Sequence, residues 1–474
     1  MNKPSNLAEI ACLLSCLCLG TILGCRVTLP NPEHCYYAQG DETCAERFPE
    51  LPYCADPSCS AAPYGCVAEE PTPECHSPCG VDDLSCLGDT DETTTSTSSD
   101  DTEQACRFDS ECPDEQPLCN YGQCTTCDQT NDPAAACERL DELRPICLGS
   151  VCVACTAEAL DVCVDAAQAC DLESNSCVPC TTHDQCPRGA ACDLELGACL
   201  PPDAVWHVNG DGSGDFSSIS DALEAVGSGS ATLIVHQTDG GYPESTVLTG
   251  KRTVAILAAP GERPRLVPAG APSLVLSEEA RVYLRGMVLV GDRGVTLSSD
   301  SLLHVDASTI MGQLSDTLVV HGSTLVLRNA MVRGGLELDE PAIVLGALSE
   351  IRVVYSTIVA VGSGPAIECV LPAPLWPDSS FVRNSLLGNF DADEPSLAPC
   401  GAIEFADSVT SLPAESVDWF VDPLQGDLHV NQLVDFSVSQ AARWMPGDPT
   451  VDYDGDPRPA REGSVDFAGA DRLP

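Results

Sequence analysis

The sequence predicts an all-β fold: a right-handed parallel β-helix with an N-terminal capping helix, preceded by small disulfide-rich modules. Three observations predict this fold. An aliphatic pattern repeats four times within residues 282–362, a short helical pattern precedes that repeat, and most of the 30 cysteines fall in even-numbered groups outside it.

Residues 1–24 have the character of a lipoprotein signal peptide, with an apolar run at residues 10–23 that is too short to span a bilayer. The run ends in Ile22-Leu23-Gly24-Cys25, which resembles the lipobox of bacterial lipoproteins. The resemblance implies that Cys25 is lipidated and that its acyl chains attach the protein to a membrane. We therefore expect an extracytoplasmic location, at the outer membrane or cell surface. The alternative is an ordinary signal peptide cleaved elsewhere, which would leave Cys25 to a disulfide.

Cysteine spacing divides the next part of the chain into three segments. Residues 25–88 are cysteine-rich, residues 89–105 form a linker rich in Thr, Ser and Asp, and residues 106–200 contain four repeats of four cysteines each. Behind a secretion signal, even cysteine counts favour disulfides, although the spacing leaves their connectivity open. In a cytosolic protein the three Cys-x-x-Cys junctions between repeats would instead suit zinc. The predicted disulfide cysteines are Cys106, Cys112, Cys119, Cys124, Cys127, Cys137, Cys147, Cys152, Cys155, Cys163, Cys170, Cys177, Cys180, Cys186, Cys192, Cys199, Cys369 and Cys400.

Residues 201–474 are the predicted β-helix domain with its C-terminal tail. Near its start, Ile219, Ala222, Leu223 and Val226 recur at helical spacing, and Gly227 supplies a stop signal. We expect a short amphipathic helix that closes the open end of the stack, because an exposed first rung would leave backbone groups unpaired.

The four-copy repeat defines the stack itself. Each copy has two alternating aliphatic residues, followed a few residues later by another aliphatic residue and a glycine. The copies begin at Val282, Leu303, Leu325 and Ile351, which are 21, 22 and 26 residues apart. This period suits solenoid rungs of strand, bend, strand and turn, and parallel stacking would place the four residues in one buried column at roughly 4.8 Å intervals. The alternative is an antiparallel β-sandwich, but two-residue hairpin signals are nearly absent.

Two motifs near the start of this domain resemble those of pectinesterases and related pectin-lyase-fold proteins. They are Asp211-Gly212-Ser213-Gly214-Asp215-Phe216, which leads into the predicted helix, and Gly240-Gly241-Tyr242-Pro243-Glu244 after the first strands. The resemblance implies the β-helix fold and a polysaccharide substrate. It supplies no catalytic residue, because the chain has no Gln-Asp pair and its Asp-Phe pairs lie outside the central rungs.

The remaining candidates for chemistry are few. Asp306 stands alone on its predicted strand, and we interpret His304 as a structural histidine. Asp452, Asp454 and Asp456 alternate around Gly455 as in calcium loops, but the downstream glutamate of an EF-hand is missing. We therefore expect no cofactor, with calcium at these three aspartates as the alternative.

The net charge of the chain excludes one class of binding partner. The formal net charge of −50 and pI near 4.1 exclude direct binding to nucleic acid unless cations intervene. The sequence favours a cell-surface lipoprotein whose β-helix binds glycans or other surface polymers without catalysis. The alternative is a polysaccharide-active enzyme of the pectin-lyase class.

Overall fold

The computed structural model describes residues 44, 51, 53–54, 66–68, 106–113, 115–121, 123–336, 340–370, 379–390, 400 and 403–473. The predicted signal peptide, the lipidation residue Cys25 and the linker at 89–105 lie outside them. The chain divides into two compact units, Met1–Asp101 and Thr102–Pro474. In the first, Tyr53–Cys54 pairs with Cys66–Val67, and Cys44 forms a disulfide with Cys66.

The second unit is dominated by a parallel β-helix built from three sheets, called here the long, second and third sheets. The long sheet contains Val205–Val208, Ala231–Val235, Thr253–Ala258, Arg281–Arg285, Leu302–Asp306, Thr324–Arg328, Glu350–Val354, Phe381–Arg383 and Glu404–Ala406. The second sheet contains Thr246–Leu248, Leu274–Leu276, Val295–Ser298, Leu318–His321, Ile343–Leu345 and Ile367–Cys369. The third sheet contains Arg265–Leu266, Val288–Gly291, Thr309–Gly312, Met331–Arg333, Thr357–Ala360 and Leu386–Asn389.

The strand register confirms the predicted parallel stack. Val282 pairs with Leu303, Leu303 with Leu325, and Leu325 with Ile351, and all four side chains are fully buried. A central rung contains three strands, however, where the repeat predicted two. The strand missed by the repeat belongs to the second sheet, as in Val295–Ser298. Its copies follow turns of unequal length, so they share no fixed spacing with the rest of the pattern.

The predicted capping helix forms over Ile219–Val226. Ser218 caps its first turn through a hydrogen bond from the backbone N–H of Asp221, and Ile219, Ala222 and Leu223 are buried in the core of the stack. The Glu244 carboxylate accepts hydrogen bonds from the N–H groups of Ile219 and Ser220, at 2.8 and 2.9 Å. A residue that carries the pectinesterase resemblance therefore holds the cap against the stack.

The four cysteine repeats share one disulfide pattern, in which the first cysteine pairs with the third and the second with the fourth. In the fourth repeat these bonds are Cys180–Cys192 and Cys186–Cys199. The other repeats contain Cys106–Cys119, Cys112–Cys124, Cys127–Cys147, Cys137–Cys152, Cys155–Cys170 and Cys163–Cys177. Every junction cysteine is thus consumed by a disulfide, which removes the thiolates that zinc would need. Cys369 and Cys400 also form the predicted bond.

Each cysteine repeat is built around a two-stranded antiparallel hairpin. The hairpins pair Leu118–Asn120 with Gln123–Thr125, Ile146–Leu148 with Val151–Val153, Ala169–Asp171 with Ser176–Val178, and Cys192–Asp193 with Ala198–Cys199. The helical segments of this region are Asp109–Glu111, Cys127–Gln129, Pro133–Leu140, Leu160–Cys163, His183–Gln185 and Pro187–Gly189.

The C-terminal tail packs along the side of the stack. Trp419, Phe420 and Trp444 share a buried cluster with Tyr355 and Met331 of the solenoid. The tail crosses several rungs, because its apolar residues match apolar side chains on the outer face of the sheets. Its elements are Ala414–Trp419, Phe420–Asp422, Pro423–Gln425, Asp427–Val430, Val438–Ala441, Ala442–Arg443 and Val465–Asp466.

None of the helices in the described part of the chain is long and apolar enough to cross a membrane.

Candidate functional site

A groove of about 710 Å³ lies on the outer face of the long sheet. Three segments that are distant in sequence form its walls. They are residues 181–184 of the fourth cysteine repeat, residues 259–263 in a turn of the solenoid, and residues 449–455 of the tail. The groove therefore exists only when the repeats, the stack and the tail have all assembled.

The floor of the groove is set by strand alternation and register. Leu303 and Val305 face the core, so His304 and Asp306 on the same strand face outward. Parallel pairing then places Arg285, Asp306 and Arg328 in one column on successive rungs. The floor thus carries a cation, an anion and a second cation in a row, with spacing fixed by the backbone of the stack.

The fourth cysteine repeat is bound to the long sheet by three polar contacts. Arg285 donates two hydrogen bonds to the Asp184 carboxylate, at 2.8 and 2.9 Å. The buried Tyr283 hydroxyl donates to Asp193 Oδ1 at 2.5 Å, and Arg352 bonds to Glu195 at 3.2 Å. These contacts reach two strands of the long sheet, Arg281–Arg285 and Glu350–Val354, so the repeat is a fixed wall of the groove.

The tail wall is held by a separate group of contacts around Tyr453. The Tyr453 carbonyl accepts a hydrogen bond from Arg263 at 2.9 Å, and its hydroxyl shares a 2.7 Å hydrogen bond with Thr309. The Arg263 guanidinium also lies 4.2 Å from the centre of the Tyr453 ring. Asn329 donates to the Val451 carbonyl at 2.8 Å. Two walls of the groove, the turn and the tail, are therefore joined directly to each other.

Buried polar groups without partners distinguish the floor. His304 is 6 % exposed, and its Nδ1 has no hydrogen-bond partner among the described residues. Burial, helped by the charge of Arg328, lowers the pKa of His304 to about 3, so its ring is neutral at physiological pH. The buried Nε of Arg328 also lacks a partner within the described part of the chain. Buried polar groups normally form hydrogen bonds, so these two buried atoms leave the hydrogen bonding of the floor incomplete.

Asp306 differs from the other carboxylates that line the groove. Burial raises the pKa of Asp306, although the neighbouring charges of Arg328 and Arg285 oppose the shift. The remaining acids are already engaged: Asp184 by Arg285, Glu262 by His236 and the Gln237 N–H, Asp454 by His429, and Asp452 by backbone N–H groups. Asp306 is therefore the groove carboxyl best placed to act on a bound molecule.

The three aspartates of the predicted calcium turn have other contacts. Asp452 Oδ1 accepts hydrogen bonds from the N–H groups of Asp454 and Asp456, at 3.0 and 2.8 Å. Asp454 is directed to His429, with Oδ2 at 3.2 Å from Nε2. Over the described residues, three or more potential ligand atoms lie within 4.8 Å of one another only in groups of disulfide-bonded cysteines. Calcium binding at this turn stays a prediction.

The sequence identifies His304 and Asp306 as isolated residues and Asp452 and Asp454 as part of a turn, and it does not predict that these four line one groove. A signal was nevertheless present, because Arg285, Asp306 and Arg328 each follow the second aliphatic residue of a repeat copy. Aligning the copies by their outward positions would have put the three charges in one column.

Comparison with known proteins identifies one match. Residues 93–205 match the model of a family of unknown function, DUF8331. The match covers the four cysteine repeats and ends at the first strand of the long sheet. No curated protein and no solved structure matches the chain. The match therefore groups the cysteine repeats with related sequences and assigns no activity.

Proposed function

We propose that this protein is a lipid-anchored, extracytoplasmic protein that binds a polysaccharide in the groove of its β-helix. The observation that carries the binding proposal is the floor of the groove, where the Arg285, Asp306 and Arg328 column lies beside the partnerless Nδ1 of His304. Sugar hydroxyls both donate and accept hydrogen bonds, and this floor offers donors and acceptors at a regular rung spacing. The fixed walls supply preorganisation, which lowers the entropic cost of binding.

The test is a polysaccharide-binding screen with the full mature chain, followed by calorimetry on each hit. Arg328→Gln should weaken binding by about tenfold or more, because a hydrogen bond to a charged group contributes roughly 1.5–3 kcal/mol. The matched control is Arg265→Gln, since Arg265 is exposed on the third sheet and lies outside the groove. Absence of binding to every polysaccharide, or equal losses in both variants, would contradict the proposal.

A second candidate, cleavage of the polysaccharide, is favoured by Asp306. A carboxyl group whose pKa is raised by burial can serve as a general acid. Product release should be assayed on pectin, polygalacturonate and other polymers with the wild type and with Asp306→Asn. Cleavage that disappears in Asp306→Asn while binding persists would support an enzyme. Binding without any product release would reject this candidate and leave the binding function.

The lipid anchor is supported by the lipobox-like Ile22-Leu23-Gly24-Cys25 and by disulfides that need an oxidising compartment. Its test is labelling of the expressed chain with a fatty acid, followed by membrane fractionation. Cys25→Ala should lose the label and leave the membrane fraction, whereas Cys18→Ala, in the leader, should behave as the wild type. Unchanged labelling of Cys25→Ala would contradict lipidation at this residue.

A further inference from the structure

Two histidine rings meet edge to edge at the start of the β-helix. His207 belongs to the strand Val205–Val208, and His236 directly follows the adjacent parallel strand Ala231–Val235. The register brings the rings together, with centroids 5.5 Å apart and planes inclined by 26°. Nδ1 of His207 lies 3.2 Å from Nε2 of His236. Two nitrogen atoms that can each ligate a metal therefore face one another on a rigid sheet.

The distance between these nitrogen atoms fits a shared metal ion. Zinc binds histidine nitrogen at roughly 2.0–2.1 Å, so two nitrogen ligands at a tetrahedral angle lie roughly 3.3 Å apart. The observed separation is 3.2 Å. A shared metal ion would replace the single proton that the two nitrogen atoms otherwise share. It would lie to one side of the line between them, so each ring would tilt toward it by roughly 35°.

Glu262 orients the second ring for this role. Its Oε1 lies 3.2 Å from Nδ1 of His236, and its other oxygen accepts a hydrogen bond from the Gln237 N–H. A carboxylate that accepts a proton from one ring nitrogen leaves the lone pair of the other nitrogen free, and this arrangement commonly supports a histidine ligand. The lone pair of His236 Nε2 is thereby directed at His207.

The surroundings of the pair are negatively charged. Asp215 accepts a hydrogen bond from the backbone N–H of His207 at 2.8 Å. Hydrogen bonds from Ser213, and more weakly the charge of His236, lower the pKa of Asp211, so this carboxylate also lies in the field of the pair. Such surroundings favour a divalent cation over a monovalent anion at this position.

We propose that His207 and His236 bind one divalent transition-metal ion, with Glu262 as the residue that positions His236. Imidazole ligands suit zinc and copper, whereas calcium and magnesium require oxygen ligands. Two protein ligands leave further coordination positions open to water or to an oxygen of a ligand. Because Glu262 also lines the groove, the metal ion would stiffen the turn at residues 259–263. This proposal does not rest on polysaccharide binding.

The experiment uses the full mature chain after treatment with a chelator. Titration with Zn²⁺ and with Cu²⁺ should show one saturable site, and the copper paramagnetic resonance spectrum should show coupling to two imidazole nitrogen atoms. His207→Ala and His236→Ala should each lower affinity at least about tenfold and reduce the coupling to one nitrogen atom. Glu262→Gln should lower affinity by about tenfold or more while both nitrogen couplings remain.

The matched control is His321→Ala, because His321 is exposed at the end of a strand in the second sheet and is remote in register from the pair. It should bind as the wild type does. Thermal unfolding of each variant without metal identifies any variant that loses the fold. The proposal is overturned if the wild type shows no stoichiometric site, or if folded His207→Ala and His236→Ala variants keep wild-type affinity and spectra.

Discussion

At the scale of single residues, the groove depends on side chains that are buried without full hydrogen bonding. His304 lies among Tyr283, Arg328 and the fourth cysteine repeat, and its neutral ring reflects that burial. Tyr283 is also buried, but its hydroxyl forms a hydrogen bond with Asp193. Tyr283 thus holds the fourth repeat in place, while His304, its partner on the next rung, retains a buried ring nitrogen that forms no hydrogen bond within the described residues.

The stability of the protein should fall in acid partly through His304. The unfolded chain takes up a proton on this residue below about pH 6.5, whereas the folded protein resists protonation down to about pH 3. The unfolded state therefore binds more protons in this window, and the free energy of unfolding decreases as the pH falls through it. Asp306 opposes the trend, because its raised pKa favours the folded state in acid. Its contribution does not affect a comparison of His304 variants, since every variant contains Asp306.

We expect His304→Gln, which cannot be protonated, to lose less melting temperature than the wild type between pH 7 and pH 5. Thermal unfolding at the two pH values measures this difference, and His321→Gln serves as the exposed control that should match the wild type. An identical acid loss in His304→Gln and the wild type would show that His304 does not stay neutral in the folded protein.

At the scale of elements, the sequence predicts what repeats at a fixed spacing and misses what does not. The inward columns that begin at Val282 and Leu289 recur with the rung, so the stack and its direction could be predicted. The even number of cysteines in each repeat predicts disulfides. Which cysteines pair, the first with the third and the second with the fourth, depends on how each hairpin folds. The walls of the groove could not be predicted, because they depend on where the fourth repeat and the tail dock.

The fourth repeat should position the groove wall through its disulfides. Removing Cys186–Cys199 by a double substitution with alanine should destabilise this repeat by about 3 kcal/mol. Residues 181–184 should then lose protection from hydrogen exchange, because Cys186, two residues after Asp184, is no longer tied to Cys199. Polysaccharide binding should weaken in parallel.

Removal of Cys106–Cys119 is the matched control, since both bonds link cysteines 13 residues apart. It should destabilise the first repeat and leave exchange at residues 181–184 unchanged. Equal exchange at those residues in both variants would show that the contacts to the long sheet alone hold the wall, without help from the disulfide.

At the scale of the whole molecule, the balance of 22 basic and 72 acidic residues opposes compactness. A net charge of −50 raises the free energy of the folded chain through self-repulsion, and salt screens that repulsion. The groove departs from this background, since Arg263, Arg285 and Arg328 all line it. Long-range repulsion thus acts on the outer surface, while Arg263 holds the tail and Arg285 holds the fourth repeat against the stack.

Because salt screens this repulsion, the melting temperature of the protein should rise as NaCl is added.

Melting temperatures in CaCl₂ and MgCl₂ test the calcium turn. We expect the two salts, at equal ionic strength, to raise the melting temperature equally, because Asp452 is bonded to backbone N–H groups and Asp454 to His429. A bound calcium ion would add an increment that depends on its concentration and that magnesium does not reproduce. The control is Asp418→Asn, because Asp418 is an acid of the tail outside the turn. If a calcium increment appears, is lost in Asp454→Asn and is kept in Asp418→Asn, then the aspartates rearrange around calcium and our expectation is wrong.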